Sequence, residues 1–315
     1  VRPPIVADRC YHPAGSEVGQ RAMTDQQVRG FGSLIYHSIV EVRSLGFRTD
    51  LAVRKLAGSE IVDRREYLTV RTRGFPAFYW GNFVLVRQSM TDDAERCLDL
   101  FAAEFSDAPH VAIGVDGTDG SVIDSAGFES SGVATEVGVV LTAETAPHVD
   151  RPNTTASFRP LRRLGDWAQL AELHQVVDTD EGQDSPQHMG FIKKKAEETR
   201  KISLTDRAEH FGAFVGDRLV SSLGVVSDGK GTARYQAVVT HPDSRRQGLA
   251  GTLVVLAGEY GLEQLGCRRL VILADPVGPA LGLYRGLGFS GEELAVQLLR
   301  PPRTGDSTPA DLVGG

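Results

Sequence analysis

The chain is poor in the residue types that mark several classes of protein. It has three cysteines in 315 residues, Cys10, Cys97 and Cys267. They stand far apart and without paired spacing, which argues against a disulfide framework or a zinc pattern and fits a reducing, cytoplasmic setting. The eight histidines form no metal-ligand cluster along the sequence, so no metal is expected. No apolar run approaches the roughly 18 residues that a membrane-spanning helix requires. The first twenty residues lack the basic-then-apolar order of a signal segment. Basic charge is also short, with 34 Lys and Arg against 41 Asp and Glu, for a net charge of −7. A nucleic-acid partner, which would need a basic stripe, is not expected.

What remains is ordinary for a soluble globular chain, with 41% apolar and 24% charged residues. Single cores rarely grow past about 250 residues, so a chain of this length is expected to form two domains, over 1–150 and 154–300. The linker Ala146–Thr154 carries Pro147, Asp150, Pro152 and Asn153. Residues 301–315 are rich in Pro and Gly and read as a flexible tail. In the first half, helical periodicity runs from Asp25 to Leu45, with strands at Tyr67–Thr72 and Asn82–Arg87. A helix follows at Thr91–Phe105 with Thr91 as its expected N-cap, then strands at His110–Val115 and Glu136–Thr142. The second half reads as a strand (Ala156–Leu161), helices at Asp166–Val177 and Pro186–Lys201, and strands at His210–Val215, Leu219–Ser227 and Ala233–Thr240. A long helix (Leu249–Leu265), a buried strand (Arg269–Leu273), a short helix (Pro279–Leu287) and a last strand (Leu294–Leu299) complete it. Both halves thus present a similar order of elements, a mixed α/β class with two diverged copies of one fold, each a central mixed sheet flanked by helices.

The most informative stretch is Thr240-His241-Pro242-Asp243-Ser244-Arg245-Arg246-Gln247-Gly248-Leu249-Ala250-Gly251-Thr252. It joins a strand to a helix through a turn with small residues at Gly248, Ala250 and Gly251, where a ligand can approach the backbone. Free N–H groups and the helix dipole at such a turn favour an anion such as a diphosphate, and Arg245 and Arg246 can add charge-assisted contacts. The turn has neither the Lys-Ser/Thr of a P-loop nor the three-glycine dinucleotide pattern.

The spacing Arg245-x-x-Gly248-x-Ala250 resembles the pyrophosphate loop of the GNAT acetyltransferases, Gln/Arg-x-x-Gly-x-Gly/Ala. A second segment, Ala280-Leu281-Gly282-Leu283-Tyr284-Arg285-Gly286-Leu287-Gly288-Phe289, is similar to that family's Ala-x-x-Leu-Tyr-x-x-x-Gly-Phe. The resemblance covers Thr154–Arg300, about half of the chain. It implies acetyl-CoA, or another acyl-CoA, as cofactor. The backbone of Val238, Val239 and Thr240 would hold the pantetheine arm, and Arg245, Arg246, Gln247, Gly248, Leu249, Ala250, Gly251 and Thr252 the diphosphate. Tyr284 would be the general acid for the leaving thiolate. Tyr235 is a candidate base, with His241, His174 and Glu172 as further options. Where the family often has Asn three residues before the alanine of the second motif, this chain has Val277, with Asp275 nearby as a substitute.

The run Asp178-Thr179-Asp180-Glu181-Gly182-Gln183-Asp184 has four carboxylates in the connection that overhangs the acceptor groove in this family. It could draw in a cationic amine or be a solvated loop. In the first half, Arg87-Gln88-Ser89-Met90-Thr91-Asp92-Asp93 lacks a Gly-x-Gly/Ala turn, and its aspartates would repel a phosphate. That half is therefore expected not to bind CoA in the usual way. The aromatic-dense Gly74–Val86 (Phe75, Tyr79, Trp80) reads as sheet core or as a pocket wall. The expected activity is direct acyl transfer to a primary amine of a small molecule by a monomer or homodimer, with no covalent intermediate. The alternative is an acyl-CoA-binding regulator or carrier that has lost catalysis.

Overall fold

The computed structural model describes residues 41–76, 78–180 and 186–302, all within one compact unit spanning 39–315. The helix read at Asp25–Leu45 lies almost wholly outside the described residues, as do Cys10, Glu181–Asp184 and most of the tail. In the first half the described chain runs α1 (Leu45–Leu56), β1 (Glu60–Asp63), β2 (Tyr67–Arg71), β3 (Asn82–Arg87), α2 (Ala94–Glu104), β4 (Val111–Asp116), α3 (Ser125–Ser130) and β5 (Ala134–Ala143). The second half continues as β6 (Ser157–Pro160), α4 (Leu164–Asp180), α5 (Pro186–Ser203), β7 (Ala208–Val215), β8 (Arg218–Ser227), β9 (Thr232–Thr240), α6 (Leu249–Glu263), β10 (Arg269–Ala274), α7 (Pro279–Gly286) and β11 (Ser290–Arg300).

Local chemistry explains most boundaries. Trp167, Leu170, Leu173 and Val177 fall on one face of α4 and are all buried, packing with Leu161, Phe214 and Leu219. β4 is buried at every position, as its unbroken apolar run suggests. The expected cap at Thr91 is corrected. Thr91 turns its hydroxyl onto the Gln88 carbonyl in a 3-10 turn, and Asp93 caps α2 by accepting from the Arg96 amide. Helix α1 was not evident in sequence because polar Thr49 and Arg54 are buried beside Phe47 and Leu51 and break its apolar stripe. Its N-terminus is instead held by carboxylates. Asp116 accepts from the amides of Arg43 and Ser44, and Glu293 accepts from Ser44 Oγ and the Gly46 amide.

Among the described residues eleven strands form one mixed sheet in the order β1-β2-β3-β4-β11-β5-β10-β9-β8-β7-β6. The order is symmetric about the antiparallel pair β5–β11. Outward from it lie β10, β9, β8 and β7 on one side and β4, β3, β2 and β1 on the other, with β6 as an additional edge strand beyond β7. β3–β4 and β9–β10 are both parallel. Each half has placed its last strand beside the other half's sheet. β5 lies between β11 and β10, and β11 lies between β4 and β5.

The cores follow this exchange. The first half's core contains Val271, Ala295, Val296 and Leu298. The second half's core contains Val139, Leu141 and Ala143. On β9, the Tyr235 hydroxyl reaches α6 and the Arg234 guanidinium reaches α1. Neighbouring strand residues point to opposite faces, so α6 lies on one face of the sheet and α1 on the other, the latter shared with α4, against whose core Val239 packs.

Residues 154–302 expressed alone should therefore fail to fold, because the edges of β10 and β11 and their apolar faces would be bare. Circular dichroism and gel filtration check this. In the whole chain, Leu141→Ala, at a fully buried position, should lower stability by about 2–5 kcal/mol in urea titration.

Candidate active site

β9 and β10 pair only at their starts, through Thr232, Ala233 and Arg234 against Arg269, Leu270 and Val271. Beyond Arg234 they part. On its other edge β9 keeps its pairing with β8 but takes in one extra residue, since Ser222 and Gly224 face Val239 and Gln236. Ala237 sits in this bulge with φ +46°, a left-handed conformation that is strained for a residue with a Cβ. The result is a V-shaped cleft of about 330 Å³ between Arg234–Val238 and Ile272–Asp275, bordered by Ala280 and Tyr284 of α7. Main-chain groups on the open edge of β9 face into it without a partner strand.

The β9–α6 connection continues from the wide end of the cleft. Pro242–Ser244 form a 3-10 turn, and Arg246 and Gly248 then take φ of +65° and +77°. The two left-handed residues turn successive amides toward one side, as in a backbone nest. Among the described residues the N–H groups of Arg246, Gln247, Gly248, Leu249, Ala250 and Gly251 donate to no protein acceptor, and Gly248 caps α6 without a side-chain bond. Six consecutive free donors at the start of a 15-residue helix fit an anion.

The side chains of this loop have several tasks. Leu249 is buried in the core and can offer only its amide. The Thr252 hydroxyl donates to the Gly248 carbonyl and accepts from the Asn153 amide, so it is committed to the turn and the preceding linker rather than free for a ligand. Asn153 also donates to the Gln247 carbonyl. Arg245 pairs with Asp180 at 2.9 Å, both about half exposed. Such a pair is worth at most about 1 kcal/mol and is easily given up for a diphosphate.

Tyr284 is buried and borders the cleft. Among the described residues its hydroxyl has no hydrogen-bond partner. Burial pushes it up to about 12, so it is a protonated phenol at any working pH. Tyr235 behaves differently. Its hydroxyl donates to the Val254 carbonyl of α6 at 2.8 Å, and burial raises its pKa strongly. It ties the strand to the helix, and the expectation that it serves as a base finds no support. Val238 borders the cleft, whereas the Val239 carbonyl and the Thr240 hydroxyl are both engaged by Ser221.

The other candidate bases lie away from the cleft. His241 is buried with its Nε2 2.6 Å from Arg218 Nη2. His174 and Glu172 belong to α4, and burial lowers the His174 pKa. Asp275 borders the cleft, but its Oδ1 accepts from the Val277 amide, closing a local turn that leaves Val277 exposed. Cys97 and Cys267 are buried. Burial raises both thiols, Cys97 to about 11, which removes them as nucleophiles.

The parallel pair β3–β4 of the first half does not open in this way. β3 and β4 stay paired to their last residues, Arg87 and Asp116, so no V opens. The amides of Ala94 and Arg96 at the start of α2 are taken by Asp124 and Asp93. The protein's own carboxylates occupy the position a phosphate would need.

Residues 167–289 match the sequence profile of the Acetyltransferase (GNAT) family. That segment, which holds the splayed strands, the free-amide loop and Tyr284, is a GNAT domain. No curated protein matches the chain. Among solved structures, a conserved protein of unknown function from Staphylococcus epidermidis is similar over 78% of this chain and 95% of its own, at 12% identity and a TM-score of 0.58. A GCN5-related N-acetyltransferase from Kribbella flavida is similar over 85% and 99%, at 13% identity and a TM-score of 0.55. A Drosophila protein is similar over 84% and 92%, at 14% identity and a TM-score of 0.50. At these identities the likeness is one of fold.

Gly248→Val forces a β-branched residue to positive φ within the amide cradle. Coenzyme A affinity should fall by tenfold or more in calorimetry, with the fold kept by circular dichroism. His210, fully buried with its Nε2 2.8 Å from Ser222 Oγ, is pushed down to about 3 by burial. Unfolded chains take up this proton near pH 6.5 and folded chains do not, so stability should fall as pH drops from about 6.5 toward 3. The loss should be on the order of 2 kcal/mol between pH 7 and 5, and His210→Gln should remove that part of the slope in urea titrations.

Proposed function

We propose that this protein is an acyl-CoA-dependent N-acyltransferase that moves an acetyl or other short acyl group directly onto a primary amine of a small molecule. The observation that carries the reading is the run of six unpartnered amides, Arg246–Gly251, aligned with a cleft that ends beside an unpartnered tyrosine hydroxyl. In this reading the free amides and Arg245 or Arg246 hold the diphosphate, and the open edge of β9 holds the pantetheine arm. The donor supplies an activated thioester carbonyl carbon. Amides around the Ala237 bulge would polarise that carbonyl. The amine nitrogen forms the new C–N bond as the C–S bond breaks. Tyr284 gives its proton to the departing sulfur, and the amine's proton leaves through water, with Asp275, the one carboxylate that borders the cleft among the described residues and already an acceptor for the Val277 amide, as the nearest basic group. The absence of an accessible thiolate there favours direct transfer over a covalent relay.

The first half reads as a diverged copy of the same fold, with its own cleft paired shut, and one acyl-CoA would bind per chain. Its contribution would be structural on one face, through β5, and acceptor-facing on the other, through α1.

Thiol release from acetyl-CoA across a panel of amines tests the activity, and absence of turnover with every amine removes it. Tyr284→Phe should lower kcat by roughly tenfold to a hundredfold while leaving the acetyl-CoA Kd unchanged. Because the phenol stays protonated below about pH 12, the ratio of native to Tyr284→Phe rates should be flat from pH 7 to 10.

A further inference from the structure

Beside the cleft, on the face of the sheet opposite α6, lies a mostly buried excess of positive charge that the reading above does not use. Arg234 stands at the apex of the V, at the last paired position before β9 and β10 separate. It points to the face opposite α6, where α1 and α5 come together. Its side chain is only 13% exposed. Nη1 is spent on scaffold, donating to the Gly46 carbonyl at 2.8 Å and to Thr49 Oγ1 at 3.0 Å. The other edge of the guanidinium is not satisfied. Nε is buried without a hydrogen-bond partner, and the nearest carboxylate oxygen to Nη2, Asp50 Oδ1, is 3.8 Å away, beyond hydrogen-bond range.

Asp50 is also shared. The same oxygen lies 3.4 Å from Nη2 of Arg54, a second buried guanidinium whose Nε likewise has no partner. Lys195 of α5 adds a third cation and pairs with Glu198. Arg54 and Lys195 both lie over the Phe78 ring, at 4.7 and 4.0 Å. Among the described residues three cations thus face two carboxylates in a mostly buried cluster contributed by α1, α5 and β9. Among the described residues two guanidinium Nε–H groups are left unmet, and one of them belongs to Arg234, a residue that borders the cleft. Burying an unpaired donor on a charged group is costly, and a guanidinium edge fits a carboxylate in two-point geometry. Meanwhile two of the acidic side chains thought to attract a cation are occupied, Asp178 by His188 at 2.7 Å and Asp180 by Arg245.

Resting on the acyltransferase reading, we propose that Arg234 is a specificity residue that receives a carboxylate carried by the substrate pair, placed on the amine acceptor so that the preferred acceptors are amino acids rather than simple amines. The Nε–Nη2 edge takes the carboxylate while the amine lies further along the strand, toward Ala237.

The test compares amino acids with the amines obtained by removing their carboxyl group, using acetyl-CoA and thiol release. The native protein should favour the carboxylated member of each pair by about tenfold or more in kcat/KM, expressed mainly in KM. In Arg234→Gln that ratio should fall toward one, and Arg234→Lys should retain part of it. Thr49→Val removes a scaffold bond to Arg234 but not the free edge, and it should keep the preference even where melting temperature falls. A parallel arm with succinyl-CoA and plain amines separates the sources. A gain there, lost in Arg234→Gln, assigns the carboxylate to the acyl group instead. Equal turnover of carboxylated and plain amines by the native protein, with no gain from succinyl-CoA, overturns the inference while leaving the acyltransferase reading intact. Loss of turnover with every substrate would remove that reading itself.

Discussion

The pairing of β5 with β11 at the centre of the sheet is the contact on which the remainder depends. Eight residue pairs join these strands, and each strand is also the neighbour of the other half's parallel pair. β5 is hydrogen-bonded to β10 along Val139–Ala143, and β10 is one wall of the cleft. That wall is held from its far side, so it does not need β9 to stay in place. β9 can leave it after three pairs without the sheet losing its continuity. The open V is stable because a strand from the other half has taken over the support of β10.

The parallel pairs β3–β4 and β9–β10 then differ in how far they stay joined. In the second half, main-chain donors are left unmet on the β9 edge and at the start of α6. In the first half, strand pairing runs to the end and Asp93 and Asp124 fill the helix start. An unmet amide near solvent is tolerable where water or an anion can reach it, and a carboxylate placed on it by the chain itself removes that use. The asymmetry between free and self-satisfied amides is what makes the start of α6, and not that of α2, the candidate site.

The first half also reaches the cleft by another route. α1 follows from first-half sequence but packs over β9, β10 and β11, pinned by Asp116 of its own half and Glu293 of the other. It brings Thr49, Asp50 and Arg54 to the face of the sheet opposite α6, beside Arg234. The aromatic segment near Phe75 and Phe78 packs with tilted rings against Phe191 of α5, so it serves as a wall between the halves as much as the core of one sheet.

Much of the second half was legible in sequence because its signals are local. The helical spacing of Trp167, Leu170, Leu173 and Val177, the turn at Gly216-Asp217, and the small residues at Gly248 and Ala250 depend on neighbours a few positions away, and so does the anion cradle. What only the tertiary structure decided is non-local. Strand exchange pairs residues more than a hundred positions apart, and alternating apolar patterns do not say which strand lies next to which. The fate of Tyr235 was hidden for the same reason, since a carbonyl on α6 takes its hydroxyl. Arg234 gave no signal at all, being one arginine in a strand, until folding set it at the apex of the cleft with part of its guanidinium unmet. Short-range periodicity determined the elements, and the long-range distribution of satisfied and unsatisfied hydrogen bonds determined which of them form a site.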